Sequence, residues 1–357
     1  EVSLYESGLF AQILQILVKT GVPRGFLPLK MVGTPFMSPW QCGDGRYIYL
    51  HITLPAHNAR ILEVLETIGY GKEVRALRRI LSEETRRDPS QVKSIAEAKR
   101  IRTAYEGIFA TKGADEWEKI LGEELCCIKV RTIDEWVKDS RDAGMTDVGV
   151  VEDPDFGELT VLGPAVTAPS HPPVVRGREV AGEGLLERWS QAAAKARESG
   201  FLVESKREVI RHPLEGIRVL DLSRVIAGPC SARVLAELGA DVVSLQSPTN
   251  LDWALSFHLV FNPGKKSVTL DFRDDAGKER LWKVIEGFHP DVIVQNYRHL
   301  DVAREIGIDP EAVQRKIPNV VYTHLNAYGN EGGWRDRPGF EQVVQAVTGV
   351  QMAYAKE

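Results

Sequence analysis

An α/β fold is predicted by three features of the sequence. Strands alternate with short helices after residue 211, a proline- and glycine-rich stretch precedes them, and the first half mixes helices with a few antiparallel strands. The expected architecture is a doubly wound parallel sheet in the C-terminal half, preceded by a smaller α+β domain and a linker. The boundaries fall at residues 1–165 for the small domain, 166–211 for a linker with one helix, and 212–357 for the parallel sheet.

In the first half, Leu4, Leu9, Phe10, Ile13, Leu14 and Leu17 recur at helical spacing and predict a helix over residues 4–19, ended by Gly21 and Pro23. Residues 40–52 read as a β-hairpin. Gly43-Asp44-Gly45 supplies its turn, and Tyr47, Tyr49 and His51 alternate with Ile48, Leu50 and Ile52. Helices are expected over 57–69, 73–82, 93–110, 115–124 and 134–142, and a short strand over 156–161. Pro169, Pro172 and Pro173 followed by Gly177, Gly182 and Gly184 give the linker its character, with a polar helix over 185–199. Beyond the boundary, strands are expected at 217–222, 241–245, 267–271, 291–295 and 319–324, with helices at 231–238 and 276–288.

The whole-chain balance excludes some classes. With 357 residues and a net charge of −5, the chain has room for two domains and no global basic field for nucleic acid. No apolar run reaches the roughly 18 residues that cross a bilayer. Cys42, Cys126, Cys127 and Cys230 show no ligand spacing, so no metal is expected, and reduced thiols fit a cytoplasmic location. Both ends read as cut from a longer polypeptide.

In a doubly wound sheet, ligands bind beyond the carboxyl ends of the strands. Four segments leave strands there. Ser223-Arg224-Val225-Ile226-Ala227-Gly228-Pro229 precedes a helix whose N-terminus favours phosphate, and Gly228 would let backbone approach a ligand. Asn262-Pro263-Gly264-Lys265-Lys266-Ser267, with Arg273 after it, and Gln295-Asn296-Tyr297-Arg298, with Arg304 after it, offer cations and amide donors. Residues 326–341 form a glycine-rich loop with Trp334, Arg335 and Arg337, suited to a flexible cover, and Glu341 opens the next helix. Neither a GxGxxG nor a P-loop is present.

Taken together, these segments resemble the family III CoA-transferases, the CaiB/BaiF family that includes formyl-CoA transferase. The resemblance runs through Pro213-Leu214-Glu215-Gly216-Ile217-Arg218-Val219-Leu220-Asp221-Leu222, Ala227-Gly228-Pro229 and Leu238-Gly239-Ala240-Asp241-Val242. It continues through Asn262-Pro263-Gly264-Lys265-Lys266-Ser267-Val268-Thr269-Leu270-Asp271, Asn296-Tyr297-Arg298 and Asp336-Arg337-Pro338-Gly339-Phe340. The first half resembles the later part of the same family, in Glu1-Val2-Ser3-Leu4-Tyr5-Glu6-Ser7, in the hairpin at 40–52 and in the stretch 153–164. The order is therefore inverted: the back of one unit, a linker, then the front of another, as in a slice of a tandem two-unit protein.

The resemblance implies a Rossmann-like fold for the second half, and acyl-CoA and a small carboxylic acid as substrates. It also implies an interlocked dimer, or intramolecular pairing of two units in its place. By the same resemblance, Ile226 and Ala227 lie along CoA, Leu270 and Arg273 flank the nucleotide, and Asn296, Tyr297 and Arg298 contact the pantetheine or phosphate region. Arg304 meets a phosphate, Arg337 and Phe340 line the thioester end, and Glu341 takes the place of an active-site glutamate. The family's nucleophilic Asp has no counterpart in residues 1–357. Two departures stand out: Gln246-Ser247 replaces an acidic-then-basic pair, and Phe340 stands where related racemases carry a His. An acyl-CoA isomerase or lyase of the same fold and a non-catalytic scaffold unit are the rival readings.

Overall fold

A computed structural model describes residues 35–87, 94–168, 174–178, 184–199, 211–248 and 255–355, with Pro89 and Val92 besides. The helix expected over residues 4–19 lies outside the described residues.

The first half is built on a three-stranded antiparallel sheet, β1 (Met37–Gln41), β2 (Tyr47–His51) and β3 (Cys126–Lys129). The expected hairpin is present, with Trp40 opposite Ile48 and Gly45 at φ 78° in its turn, a backbone region that glycine enters without steric cost. Helices α1 (Pro55–Thr67), α2 (Gly71–Ile80), α3 (Glu83–Arg87), α4 (Ile95–Phe109) and α5 (Ala114–Leu121) cover one face of the sheet. Their core is aromatic. Trp40, Tyr105, Phe109 and Trp117 are fully buried in mutual contact, and the Trp117 indole N–H donates to the Phe109 carbonyl at 2.9 Å, while the Trp40 indole N–H and the Tyr105 hydroxyl are buried without a partner. Helix α6 (Ile133–Asp142) starts at a capping box in which Thr132 and Glu135 satisfy each other's backbone N–H. The hairpin β4 (Val148–Asp153) and β5 (Gly157–Leu162) follows. Arg178, in the described part of the linker, pairs with Asp153 and Asp155, and α7 (Leu185–Glu198) is largely exposed.

The second half contains a five-stranded, wholly parallel sheet of β6 (Arg218–Asp221), β7 (Asp241–Gln246), β8 (Lys266–Thr269), β9 (Val292–Gln295) and β10 (Val321–His324). The spatial order is β10-β9-β6-β7-β8. Connections run outward one way from β6 and then the other way from β9, so the topological switch point lies between those two strands. The helices are α8 (Ala227–Glu237), α9 (Leu255–Phe261), α10 (Asp275–Phe288), α11 (Leu300–Ile306) and α12 (Pro310–Lys316), then α13 (Glu341–Val347) and α14 (Val350–Tyr354). Leu220, Ile293, Leu281 and Ile285 are completely buried between sheet and helices. Each such side chain contributes about 1.5–3 kcal/mol on burial.

The two halves share a core. Tyr49, Cys126, Ile128 and Val130 of the small domain pack against Trp334, Val343, Ala346 and Val347 of the second half. This explains a departure from simple alternation. An antiparallel sheet commonly leaves one face wet, but here β2 is buried on both faces from Ile48 onward because α13 covers the second one. The glycine-rich loop is likewise packed rather than free. The Gly333 N–H donates to the Ala143 carbonyl at 2.7 Å, and Gly332 sits at φ 79° where a Cβ would meet the Gly144 carbonyl at 2.8 Å.

Candidate functional site

The switch point places two loops side by side, the one leaving β6 and the one leaving β9. Asp221, at the end of β6, is fully buried and accepts from the Ser223 N–H at 3.0 Å, from the Ser223 hydroxyl, and from Lys265 Nζ at 2.8 Å. Lys265 also donates to the Pro229 carbonyl at 2.8 Å, and burial lowers its pKa against the pull of Asp221. The lysine of the expected basic turn is therefore a buried brace between β6 and the start of α8. Its neighbour Lys266 is exposed and pairs with Asp241.

The loop after β6 is shaped from both sides. Asn296, at the exit of β9, accepts from the Arg224 N–H at 2.9 Å and donates to the Arg224 carbonyl at 2.7 Å. The next residue, Val225, has φ 71°, a left-handed conformation that a β-branched side chain adopts only under constraint. Ile226 follows as the N-cap of α8, 41% exposed, and Ala227 opens the helix, also exposed. The first residue of an eleven-residue helix thus lies exposed beside a strained turn, and an open helix start of this kind can receive anionic or backbone-bonding ligands. Gly228 serves another purpose than close approach of a ligand. It is buried, and a Cβ there would sit 2.2 Å from Ser223 Cβ, so glycine is required for the helix to pack on its own loop.

The remaining candidates divide between this crevice and other places. Tyr297 lies half-buried on the sheet core, its hydroxyl without a hydrogen-bond partner and its pKa pushed up to about 12 by burial. Leu270 packs on the same core while its N–H extends the ladder to the Gln246 carbonyl at 2.9 Å. Arg273 is exposed and forks onto Asp271, whose pKa that bond holds down to about 2. Arg304 is exposed on α11 and pairs with Asp301. Arg298 donates to the Asp336 carbonyl at 2.7 Å and to the Glu123 carbonyl, so it ties the β9 exit to both the glycine-rich loop and the small domain.

Arg337 and Phe340 are turned toward the small domain. The Arg337 guanidinium reaches Glu118 at 2.5 Å, beside the buried Arg131–Glu118 pair at 3.0 Å, and both arginines lie over the Trp334 ring. Phe340 stacks on His51 with centroids 4.3 Å apart. Glu341 is exposed at the start of α13 and accepts from Gln345. The structure therefore brings Asn296 together with Ile226 and Ala227, and Arg298 together with Arg337 and Phe340 at the junction of the halves. Arg273 and Arg304 stand apart, each on its own carboxylate.

Sequence reasoning did not single out His51, Thr53, His57 and Asn58 on the small-domain side of this junction. His51, Thr53 and Asn58 are buried, and one side-chain polar atom on each of the four residues lacks a partner. Four polar residues within an eight-residue stretch that ends a buried strand was the available signal.

The chain belongs to CoA-transferase family III, whose profile it matches over residues 1–179 and 214–357. Among curated relatives, an acyl-CoA transferase of Gibberella moniliformis is 34% identical over 178 residues, which take in 48% of this chain and 30% of that protein. The CoA-transferase/lyase DddD of a Marinomonas species is 25% identical over 353 residues, 90% of this chain and 40% of that one. A CaiB/BaiF family protein from Brucella suis, solved by crystallography, is 30% identical over 38% of each chain, with a TM-score of 0.35. The chain thus spans well under half the length of the curated relatives it matches.

Proposed function

We propose that residues 1–165 are the back of one CoA-transferase unit and residues 212–357 the front of a second, and that the second unit's sheet edge holds acyl-CoA. Two findings support the tandem reading: the family match breaks between 179 and 214, and the alignment to the Marinomonas protein runs through 353 residues. The observation that carries the site is the strained Val225 turn, clasped by Asn296, beside the open start of α8 at the switch point. In this reading Ile226 and Ala227 lie along CoA, and Asn296 acts by holding the Arg224 backbone. Leu270 and Arg273 flank the nucleotide, Tyr297 walls the crevice, and Arg273 and Arg304 exchange their carboxylate partners for phosphate. Arg298, Arg337 and Phe340 set the junction at the thioester end, with Glu341 at its mouth.

The reaction moves CoA from an acyl-CoA thioester to a free carboxylic acid. An Asp carboxylate from outside residues 1–357 attacks the thioester carbonyl and expels CoA thiolate, leaving an acyl-enzyme anhydride. The thiolate then attacks the Asp carbonyl, releasing the first acid and leaving an enzyme-bound CoA thioester. The second acid repeats the two steps in reverse and regenerates the Asp. Anchoring the long CoA handle lets remote binding orient the thioester. The shared core of the two halves supports intramolecular pairing of units in place of an interlocked dimer. Among the described residues no helix is long and apolar enough to cross a membrane, and all four cysteines are free thiols, which supports a cytoplasmic place.

Incubating the longer polypeptide with an acyl-CoA and an isotopically labelled acid tests the reading. Label appearing in the CoA thioester pool, with an anhydride trapped by hydroxylamine, is the expected result. Isomerised acyl-CoA with no label exchange would move the protein to the isomerase class.

A further inference from the structure

The turn from β2 into α1 gathers buried polar groups that nothing among the described residues satisfies. His51 Nδ1, Thr53 Oγ1, His57 Nδ1 and Asn58 Oδ1 have no hydrogen-bond partner. His51, Thr53 and Asn58 are 4%, 1% and 2% exposed. Leaving such a group unmet costs about 1–3 kcal/mol, so four in one stretch of eight residues is an expensive arrangement for a purely structural turn. The cluster faces the junction of the halves. Phe340 of the second half stacks on the His51 ring, and Arg298, from the exit of β9, is close enough for its charge to act on His57. Arg298 itself belongs to the loop beside the strained Val225 turn.

Resting on the reading given under Proposed function, we propose that His51, Thr53 and His57 of the first unit form the pocket that recognises the carboxylate of the acid substrate for the second unit's site. The chemistry favours a carboxylate over other small ligands. Burial, with His57 beside it, lowers the His51 pKa to about 4, and burial with Arg298 beside it lowers that of His57. At neutral pH both rings are uncharged, and each offers an N–H at Nδ1 in one of its two tautomers. The Thr53 hydroxyl adds a third donor. A carboxylate accepts up to about four hydrogen bonds and donates none, which matches a donor set placed under the field of a guanidinium. Asn58 Oδ1 is an acceptor and requires a bridging water. Specificity for the acid is then set by the unit that does not hold CoA, which gives the packed junction a functional reason.

The test uses the intact chain, with acetate as the probe carboxylate and acetamide as its neutral isostere, each followed by the imidazole resonances of the eight histidines. The expected result is a saturable shift of His51 and His57 with acetate, with acetamide at least tenfold weaker. Thr53→Val should weaken acetate about tenfold while folding at least as well as the parent, because it removes a buried unpaired hydroxyl at nearly constant shape. His57→Phe should abolish the response. No saturable shift with acetate, equal binding of acetamide, or unchanged acetate affinity in Thr53→Val would overturn the proposal. Calorimetry with CoA on the same preparation separates the two claims. CoA binding without an acetate response sinks this inference alone, and absence of both sinks the reading beneath it.

Discussion

Asn296 is the residue on which the crevice depends most. Its amide oxygen and its amide nitrogen each make one bond to the Arg224 backbone, 72 residues away in sequence, and so fix the turn in which Val225 is strained. Asn296→Ala leaves an N–H and a carbonyl of Arg224 unmet, at a cost of about 1–3 kcal/mol. Urea denaturation should show that loss together with weakened CoA binding; a variant as stable and as tight-binding as the parent would remove the clasp from the account. His51 makes a second prediction at this scale. Its pKa in the folded chain is about 4 against an ordinary 6.5. Between those values the unfolded chain takes up a proton that the folded chain refuses, so stability falls as pH drops from 6.5 to 4 and is unaffected by this group above 6.5. The contribution is on the order of 3 kcal/mol, and His57 acts in the same direction. His51→Phe should flatten that limb of the stability–pH curve, read from urea midpoints.

At the scale of elements, the junction has a charged latch as well as an apolar core. Glu118 and Arg131 are almost fully buried in side-chain terms, and Arg337 joins them across the halves. Removing Glu118 leaves Arg131 with Asp139 and the Lys129 carbonyl and strands part of a buried charge, so Glu118→Ala should cost about 3–5 kcal/mol. Arg337→Ala leaves the buried pair intact and should cost about 1 kcal/mol. Equal costs in urea melts would mean that the latch is not organised around Glu118. The elements themselves were unevenly legible in the sequence. The hairpin, the long helices and all five parallel strands carry clear periodicity or β-branched runs, and they fall within a few residues of expectation. Strand β3 was missed because Cys126-Cys127-Ile128-Lys129 is too short to show a period, and it is a strand by virtue of pairing with β2. Helices α11 and α12 were also passed over, although Gly307 and Asp309-Pro310 are end and start signals for them. Helix α8 begins at Ala227 rather than Ser231, since Pro229 is tolerated in a first turn that has no partner for its N–H.

For the whole molecule, the ordered motifs made the family and the parallel sheet readable, because those features are local in sequence. The junction was not readable. It joins residues 126–131 to 334–347, contacts some 200 positions apart that no periodicity encodes, and it turned the expected flexible cover into a packed element. The same remoteness hid the polar cluster at 51–58, whose significance appears only once Phe340 and Arg298 are placed against it. On the tandem reading proposed above, one unit's small domain closes on the next unit's sheet, and binding then needs both halves.

The most direct test of that account is isothermal titration of the intact chain with CoA, alongside Asn296→Ala. One saturable site on the parent, weakened in the variant, is the predicted result. No heat of binding up to millimolar CoA would contradict it and leave a folded unit that serves as a scaffold.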